Sequence, residues 1–307
     1  SLRNQTYPGK RTEIIIVDNN SLDNTKTIIK TDYPSVSLIE LKKNYGFAGG
    51  NNRGLAYANG EYLVFLNQDT LCHKDCLLNL IGFMLKNNDI TAANANIIQQ
   101  ESEDVLLNQE QDIKTIAYCD LTPFGYGAFK KSSNKSFLVT RLLSGCAFAI
   151  HKESLNRLGY LFDEDFRMYA EDTDLSLRIL NNGGKIGVVG NSIVYHLHNN
   201  NLSMSKKNFS TFTKAIQNRL YAFYKNMSTP EFIIYLPLLL LGGGFKIFEF
   251  QISITKKFLA FIPFSILSIA SMLKALLTLN QYANKKRAII KNRRQKGFPL
   301  FKQIVRP

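Results

Sequence analysis

Tryptophan is absent from this chain of 307 residues, and cysteine, histidine and proline are sparse at four, four and eight. Cys72, Cys76, Cys119 and Cys146 are too few and too scattered to staple a disulfide scaffold, and they suit a reducing compartment. Neither a glycine period nor a heptad runs through the sequence, which excludes collagen-like and coiled-coil rods. Acidic residues are missing from one stretch: residues 206–307 carry two against 18 Lys and Arg, whereas residues 1–205 carry 22 against 20. The positive excess, +14 overall, therefore sits in the last third. Asymmetry of that size points to an anionic partner, a membrane surface or nucleic acid. What is present, 45% hydrophobic and 11% aromatic residues, excludes a disordered chain and suffices for a substantial core.

The first two-thirds alternate strand and helix. The run Glu13–Val17, ending at Asp18-Asn19-Asn20, reads as a parallel strand buried on both faces, with Ser21 capping the helix after it. Val36–Leu41 and Tyr62–Leu66 read as strands, with short helices over Asn51–Asn59 and Asp75–Lys86. Residues 99–137 are polar and weakly periodic and read as loop. Leu142–Ile150 predicts a strand, Lys152–Leu158 a helix closed by Gly159, Glu171–Leu180 a helix, and Lys185–Tyr195 a strand. This order argues for an α/β fold.

Beyond Asn208 the character changes. Phe232–Leu241 is almost wholly apolar and Phe258–Leu273 is uncharged over 16 residues, both short of the ~20 that comfortably span a bilayer. Seven basic residues then crowd into the twelve positions from Lys285 to Lys296. Apolar segments of this length beside a basic cluster suit helices lying in a membrane interface, or else a buried helical hairpin. Nucleic-acid binding by the tail is the rival reading, without a recognition motif to support it.

In open α/β sheets, ligands gather at the carboxyl ends of strands. Three acidic segments stand at such places: Asp18-Asn19-Asn20-Ser21, Asn67-Gln68-Asp69-Thr70 and Glu171-Asp172-Thr173-Asp174, while His196 ends a strand. Each alone is an ordinary turn or helix start, and their order is the signal. The Gly-rich run Gly46–Gly54 lacks the spacing of a phosphate-binding loop. Cys72-His73-X-X-Cys76 has no second pair to make a zinc site, so packing is its reading.

These segments, with Asn44-Tyr45-Gly46-Phe47-Ala48-Gly49-Gly50-Asn51-Asn52-Arg53-Gly54, Ser144-Gly145-Cys146, Phe162-Asp163-Glu164-Asp165-Phe166 and Leu175-Ser176-Leu177-Arg178, resemble the family 2 glycosyltransferases of the GT-A fold, in their rhamnosyltransferase-like branch. The resemblance covers about residues 1–200. It implies a nucleotide-sugar-binding mixed sheet with helices on both faces over residues 1–205, followed by an apolar, basic helical region over residues 206–307. It also implies an inverting transfer from a nucleotide-diphospho-sugar, rhamnose first, to a saccharide or lipid-linked acceptor. The expected location is the cytoplasmic face of the membrane, peripherally bound, with no nucleic acid.

By the same resemblance Asp18 would accept from the nucleobase imide, and Asn44 and Asn52 would contact the nucleoside. Asp69, Asn67 and His196 would hold a divalent cation, Mg²⁺ or Mn²⁺, with His198 the alternative one pleat on. Asp172 would be the general base, with Glu171 beside it and Arg178 near the diphosphate, while Asp174 would face away. Family members carry a further strand and helix before the segment equivalent to Asn4–Pro8. The expectation is therefore either a chain truncated at its start or, if it is complete, a sheet short of a central strand with weak donor affinity and in the extreme an inactive relative.

Overall fold

The structure, a computed structural model, describes residues 1–100, 115–133, 136–197, 206–245 and 254–294. The apolar runs become β1 (Ile15–Asp18), β2 (Ser37–Glu40) and β3 (Tyr62–Leu66), and the turn Asn67-Gln68-Asp69 leads into the short β4 (Thr70–Cys72). Between them lie α1 (Thr25–Asp32), α2 (Gly46–Leu55) and, after β4, α3 (Cys76–Lys86). Ser21 does not cap α1: its backbone N–H is taken by Asp18 Oδ1 at 3.1 Å, and the helix waits until Thr25.

The helix expected over Asn51–Asn59 starts five residues earlier, inside the glycine-rich run. Glycine permits it for steric reasons. Gly46 has a φ of +75° and lies against the Arg167 carbonyl, and a Cβ on Gly54 would stand 2.6 Å from Val17 Cγ2, so α2 packs directly on β1.

Residues 99–137, expected as loop, hold strands instead: the end of β5 (Ile90–Gln100), β6 (Thr115–Leu121) and β7 (Gly127–Ser133). Residues 101–114 and 134–135 lie outside the described segments. β6 and β7 form an antiparallel hairpin whose polarity hid it, Asp120 being held by Lys130 and Arg141 at 2.7 Å each. Then follow β8 (Phe137–Thr140), β9 (Ala147–His151), α4 (Lys152–Leu158), α5 (Glu171–Asn181) and β10 (Lys185–Leu197). β9 begins later than expected because side chains replace the ladder at Leu143 and Ser144, whose N–H groups donate to Ser176 Oγ and Asn94 Oδ1 at 2.9 Å.

The main sheet runs β3-β9-β5-β10-β4, with β8 also on β10. β5 and β10 are parallel and the other pairs antiparallel. A register break between Val189 and Ile193 lets β10 leave β8 and pair with β4, setting His196 opposite Thr70. This is the mixed α/β sheet expected of a GT-A fold.

β1 departs from expectation. It pairs with β2 alone in a separate two-stranded sheet, and Ile15, Ile16 and Val17 are only half-buried. Between β1 and β3 lies an open cleft of about 1920 Å³ lined by both strands, so this strand is not covered on both faces.

The apolar C-terminal segments form α6 (Lys206–Asn226), α7 (Thr229–Phe245), α8 (Ile254–Leu276) and α9 (Ala283–Asn292). Among the described residues no helix is long and apolar enough to cross a membrane. Phe223, Tyr235, Leu239 and Met272 share one core cluster with Leu121, Leu142, Phe166, Leu177 and Leu180, so the helices and the α/β layer are packed as one body.

Candidate active site

Asp18 closes β1 and is buried. Burial alone would raise its carboxyl, but hydrogen bonds from Ser21 and the Lys26 ammonium, 3.5 Å away, hold it below its ordinary value. Among the described residues Oδ2 has no nearer partner than that Lys26 ammonium. Asn19, next in sequence, clamps the facing loop: Nδ2 donates to the Gly46 carbonyl and Oδ1 accepts from the Tyr45 N–H, both at 2.9 Å. Asn44 is exposed on the cleft wall, its Oδ1 accepting from Gly46 N–H at 2.8 Å. Asn52 is spent elsewhere. Its amide brackets Phe162, donating to the carbonyl at 2.8 Å and accepting from the N–H at 3.1 Å, and it takes no place on the cleft wall.

Asp69 and His196 meet because β4 and β10 pair immediately beyond them. Oδ1 of Asp69 lies 3.3 Å from Nε2 of His196. Asn67 starts the same turn, and its backbone donates to the Cys146 carbonyl at 2.9 Å. Among the described residues no three His, Cys, Asp or Glu side chains converge, and His198 lies outside them. The Asp69 carboxylate, on the turn before β4, and the His196 imidazole of β10 are nevertheless a donor pair that would suit a divalent cation.

On the other side of the Ser144-Gly145-Cys146 turn stands Asp172, in the first turn of α5. Its Oδ2 accepts from Gly145 N–H at 3.3 Å and its Oδ1 from Thr173 N–H at 2.6 Å. Burial pushes its carboxyl up against these hydrogen bonds. Burial and the Asp172 charge push neighbouring Glu171 up to about 8, and its Oε2 has no hydrogen-bond partner among the described residues. The two acids form one closely coupled pair.

The backbone feeding this pair is strained. Arg167, Tyr169 and Ala170 have φ of +56°, +71° and +67°, a conformation side-chain-bearing residues rarely hold unless the surroundings impose it. Asn218 of α6 imposes it: its Nδ2 donates to the carbonyls of Phe166, Met168 and Tyr169 at 3.0, 3.0 and 3.1 Å. Sequence reading missed Asn218, since nothing in an apolar helix 46 residues downstream of Asp172 marks it. A run of left-handed residues likewise leaves no compositional trace.

One expectation about α5 is corrected. Arg178 reaches no diphosphate site. It is buried, its Nε 3.0 Å from Asp174 Oδ2 and its other nitrogens donating to the carbonyls of Tyr160 and Leu161. Asp174 turns away from Asp172 and into the interior, where Lys225 Nζ stands 3.0 Å from Oδ1.

Comparison with known proteins then settles the family. The profile of Glycosyl transferase family 2 matches residues 1–159. The chain belongs to that family. This chain is 30% identical over 176 residues to the poly-beta-1,6-N-acetyl-D-glucosamine synthase of Staphylococcus epidermidis, covering 56% of this chain and 39% of that one. It is 38% identical over 91 residues to the poly(ribitol-phosphate) beta-N-acetylglucosaminyltransferase TarP of Staphylococcus aureus, covering 29% and 28%. The chain thus spans less than half the length of either relative. Among solved structures, its fold matches S. aureus TarS with UDP (TM-score 0.52, 17% identity, 99% of this chain, 85% of that one). It also matches the mannosyltransferase PcManGT of Pyrobaculum calidifontis with GDP-Man and Mn2+ (0.54, 16%, 95% and 79%).

Proposed function

We propose that this glycosyltransferase moves a sugar from a nucleotide-diphospho-sugar to a glycan or lipid-linked acceptor by a single inverting displacement. The observation that carries the reading is the Glu171–Asp172 pair, the first acid buried and the second half-buried, joined through the Gly145–Cys146 turn to the Asn67–Asp69 turn and its His196 partner. In this reading the acceptor oxygen bonds to the anomeric carbon as the bond from that carbon to the diphosphate breaks, and the acceptor proton passes to Asp172. A carboxyl raised toward neutrality is matched to that transfer better than an ordinary one. Glu171 supports the raised pair. Asp18 accepts from the base, with Asn44 beside it and Lys26 balancing its charge.

Asp69, His196 and Asn67 would hold a divalent cation, Mg²⁺ or Mn²⁺. When bound it neutralises charge on the departing diphosphate. Asn52 and Arg178 leave the donor-binding set and serve the scaffold.

The two sequence relatives are named for N-acetylglucosamine, which favours a uridine-diphospho-sugar as the first donor to test, with a rhamnosyl donor second. They also favour a cell-surface polymer, polysaccharide or teichoic acid, as the product class. A setting at the inner face of the cell membrane agrees with the basic, apolar last third. Transfer is measured with a panel of nucleotide-sugars and Mn2+, for the parent and for Asp172→Asn. Activity that persists undiminished in the variant overturns the base assignment. The division of the sheet between β1 and β3 favours a second reading, a relative without donor affinity. Calorimetry decides it, since no heat with any donor supports that reading.

A further inference from the structure

The outer sides of α7 and α8 are apolar where a water-facing helix would be polar. On α8 the exposed residues Ile262, Ile266, Ile269, Leu273 and Leu277 recur at intervals of three and four, one stripe along the helix. The side of α8 that enters the protein carries Ser268 and Ser271 beside Met272 and Ala275. The pattern is inverted: Ile266 is 62% exposed and Leu277 85%, while Ser268 is wholly buried. α7 repeats the feature, with Pro230, Ile233, Ile234, Pro237 and Leu241 outward and Phe232, Tyr235 and Leu239 in the core. Both stripes lie opposite the sides that enter the shared core cluster.

Charge around these stripes has one sign. Lys274 borders the α8 stripe, and Arg287, Lys291 and Arg294 are exposed just beyond. The acid described in this region, Glu231, is buried and 3.2 Å from Arg293. Among the described residues from 206 onward no exposed carboxylate opposes them. A self-complementary contact with a second copy would bring these cations together, whereas an anionic surface is attracted to all of them.

We propose that the outer faces of α7 and α8 lie in the interface of an anionic lipid bilayer, with Ile262, Ile266, Ile269, Leu273 and Leu277 in the acyl boundary and Lys274, Arg287, Lys291 and Arg294 at the headgroups. This deepens the membrane setting read above by naming the surface that makes it. The helices lie along the membrane, since among the described residues none is both long and apolar enough to cross it. Each Lys or Arg near such a surface strengthens binding roughly fivefold.

The full chain, without nucleotide-sugar, is sedimented with phosphatidylcholine vesicles carrying about one-third phosphatidylglycerol, and with phosphatidylcholine alone. Binding to the anionic vesicles that weakens with salt is expected, with the double variant Ile266→Gln, Leu273→Gln partitioning about tenfold less. A second measurement does not depend on that variant's folding. Leu273→Cys in a Cys119→Ser background, labelled with an environment-sensitive fluorophore, shifts to the blue on anionic vesicles, and Glu153→Cys in the same background does not. Equal binding by variant and parent, or no shift at Leu273→Cys, overturns the proposal. So does a parent dimer in light scattering that the double variant dissociates while vesicle binding stays unchanged, since a second copy then covers the face. No donor enters these assays, so their failure leaves the transfer chemistry standing, and loss of transfer leaves the vesicle result standing.

Discussion

Glu171 costs stability in a way that pH exposes. Its carboxyl titrates at about 8 in the folded chain against an ordinary 4.5. Between those values the folded state holds a proton that the unfolded state has released, so this group's contribution falls as pH rises through the window. Glu171→Gln removes the penalty. The variant melts higher than the parent at pH 8, and the gap closes below about pH 4.5, where both states of the parent are protonated. Differential scanning at the two pH values checks it, and a constant gap would place the effect in packing instead. Asp172 gives the complementary prediction for rate. As base it works deprotonated, so kcat/KM falls on the acid side of neutrality, and Asp172→Asn loses about 10²–10⁴ of kcat with donor Kd unchanged by calorimetry. Residue identity and order made Asp18, Asp69, Asp172 and His196 readable as candidates. They did not reveal partners, so Asn52 and Arg178 looked like ligand contacts and turned out to hold Phe162, Tyr160 and Leu161.

At the scale of elements, α6 does more for the site than its position in the chain suggests. Asn218 holds three carbonyls of the strained segment before Glu171. Seven residues on, the buried Lys225 ammonium lies 2.5 Å from Asp163 and 3.0 Å from Asp174, and Lys285 of α9 reaches Asp163 and Asp165 at 2.6 Å each. Asn218→Leu orphans buried carbonyls at a cost of about 1–3 kcal/mol. Because the loop it frees leads into Asp172, the proposed base, kcat is expected to fall while donor KM stays near the parent value. A variant that only loses stability, with kcat per folded molecule intact, would make Asn218 purely structural. Lys225→Met removes one of two cations from each of two buried carboxylates, Asp174 keeping Arg178 and Asp163 keeping Lys285, so it destabilises by less than the about 3–5 kcal/mol of a buried charge left wholly unpaired. The strands β3 and β10 and the helices α3, α4 and α5 were legible, since apolar runs and Gly stops state them directly. β6 and β7 were not. Their alternation is broken by Asp120, Lys130 and Lys131, polar groups whose satisfaction depends on Arg141 outside the hairpin. The early start of α2 was hidden for the opposite reason: glycine argues against helix locally, and only the closeness of Val17 and Arg167 explains its use.

For the whole molecule, charge and hydropathy divide the chain near residue 205, yet packing does not respect the division. The core cluster that holds α6, α7 and α8 also holds Leu121, Phe166, Leu177 and Leu180, and the ion network spans α5, α6 and α9. Neither part can be removed without opening the apolar and charged surface it covers in the other, and a buried charge left behind is the more expensive loss. Unfolding should therefore be a single cooperative event despite the length of the chain. The absence of tryptophan makes this directly measurable. Phe65→Trp, stacked beside Phe148 in the sheet layer, and Tyr224→Trp, against Phe232 in the helical layer, each give a single tryptophan that is excited selectively at wavelengths beyond the tyrosine band. In urea the two variants and the far-ultraviolet dichroism of the parent should share one midpoint, once each variant's own stability change is subtracted. A helical layer that melts first would leave Asn218 and Lys225 unable to shape the catalytic turn, so two resolved midpoints would separate the strained loop from its support and predict activity lost at the earlier one.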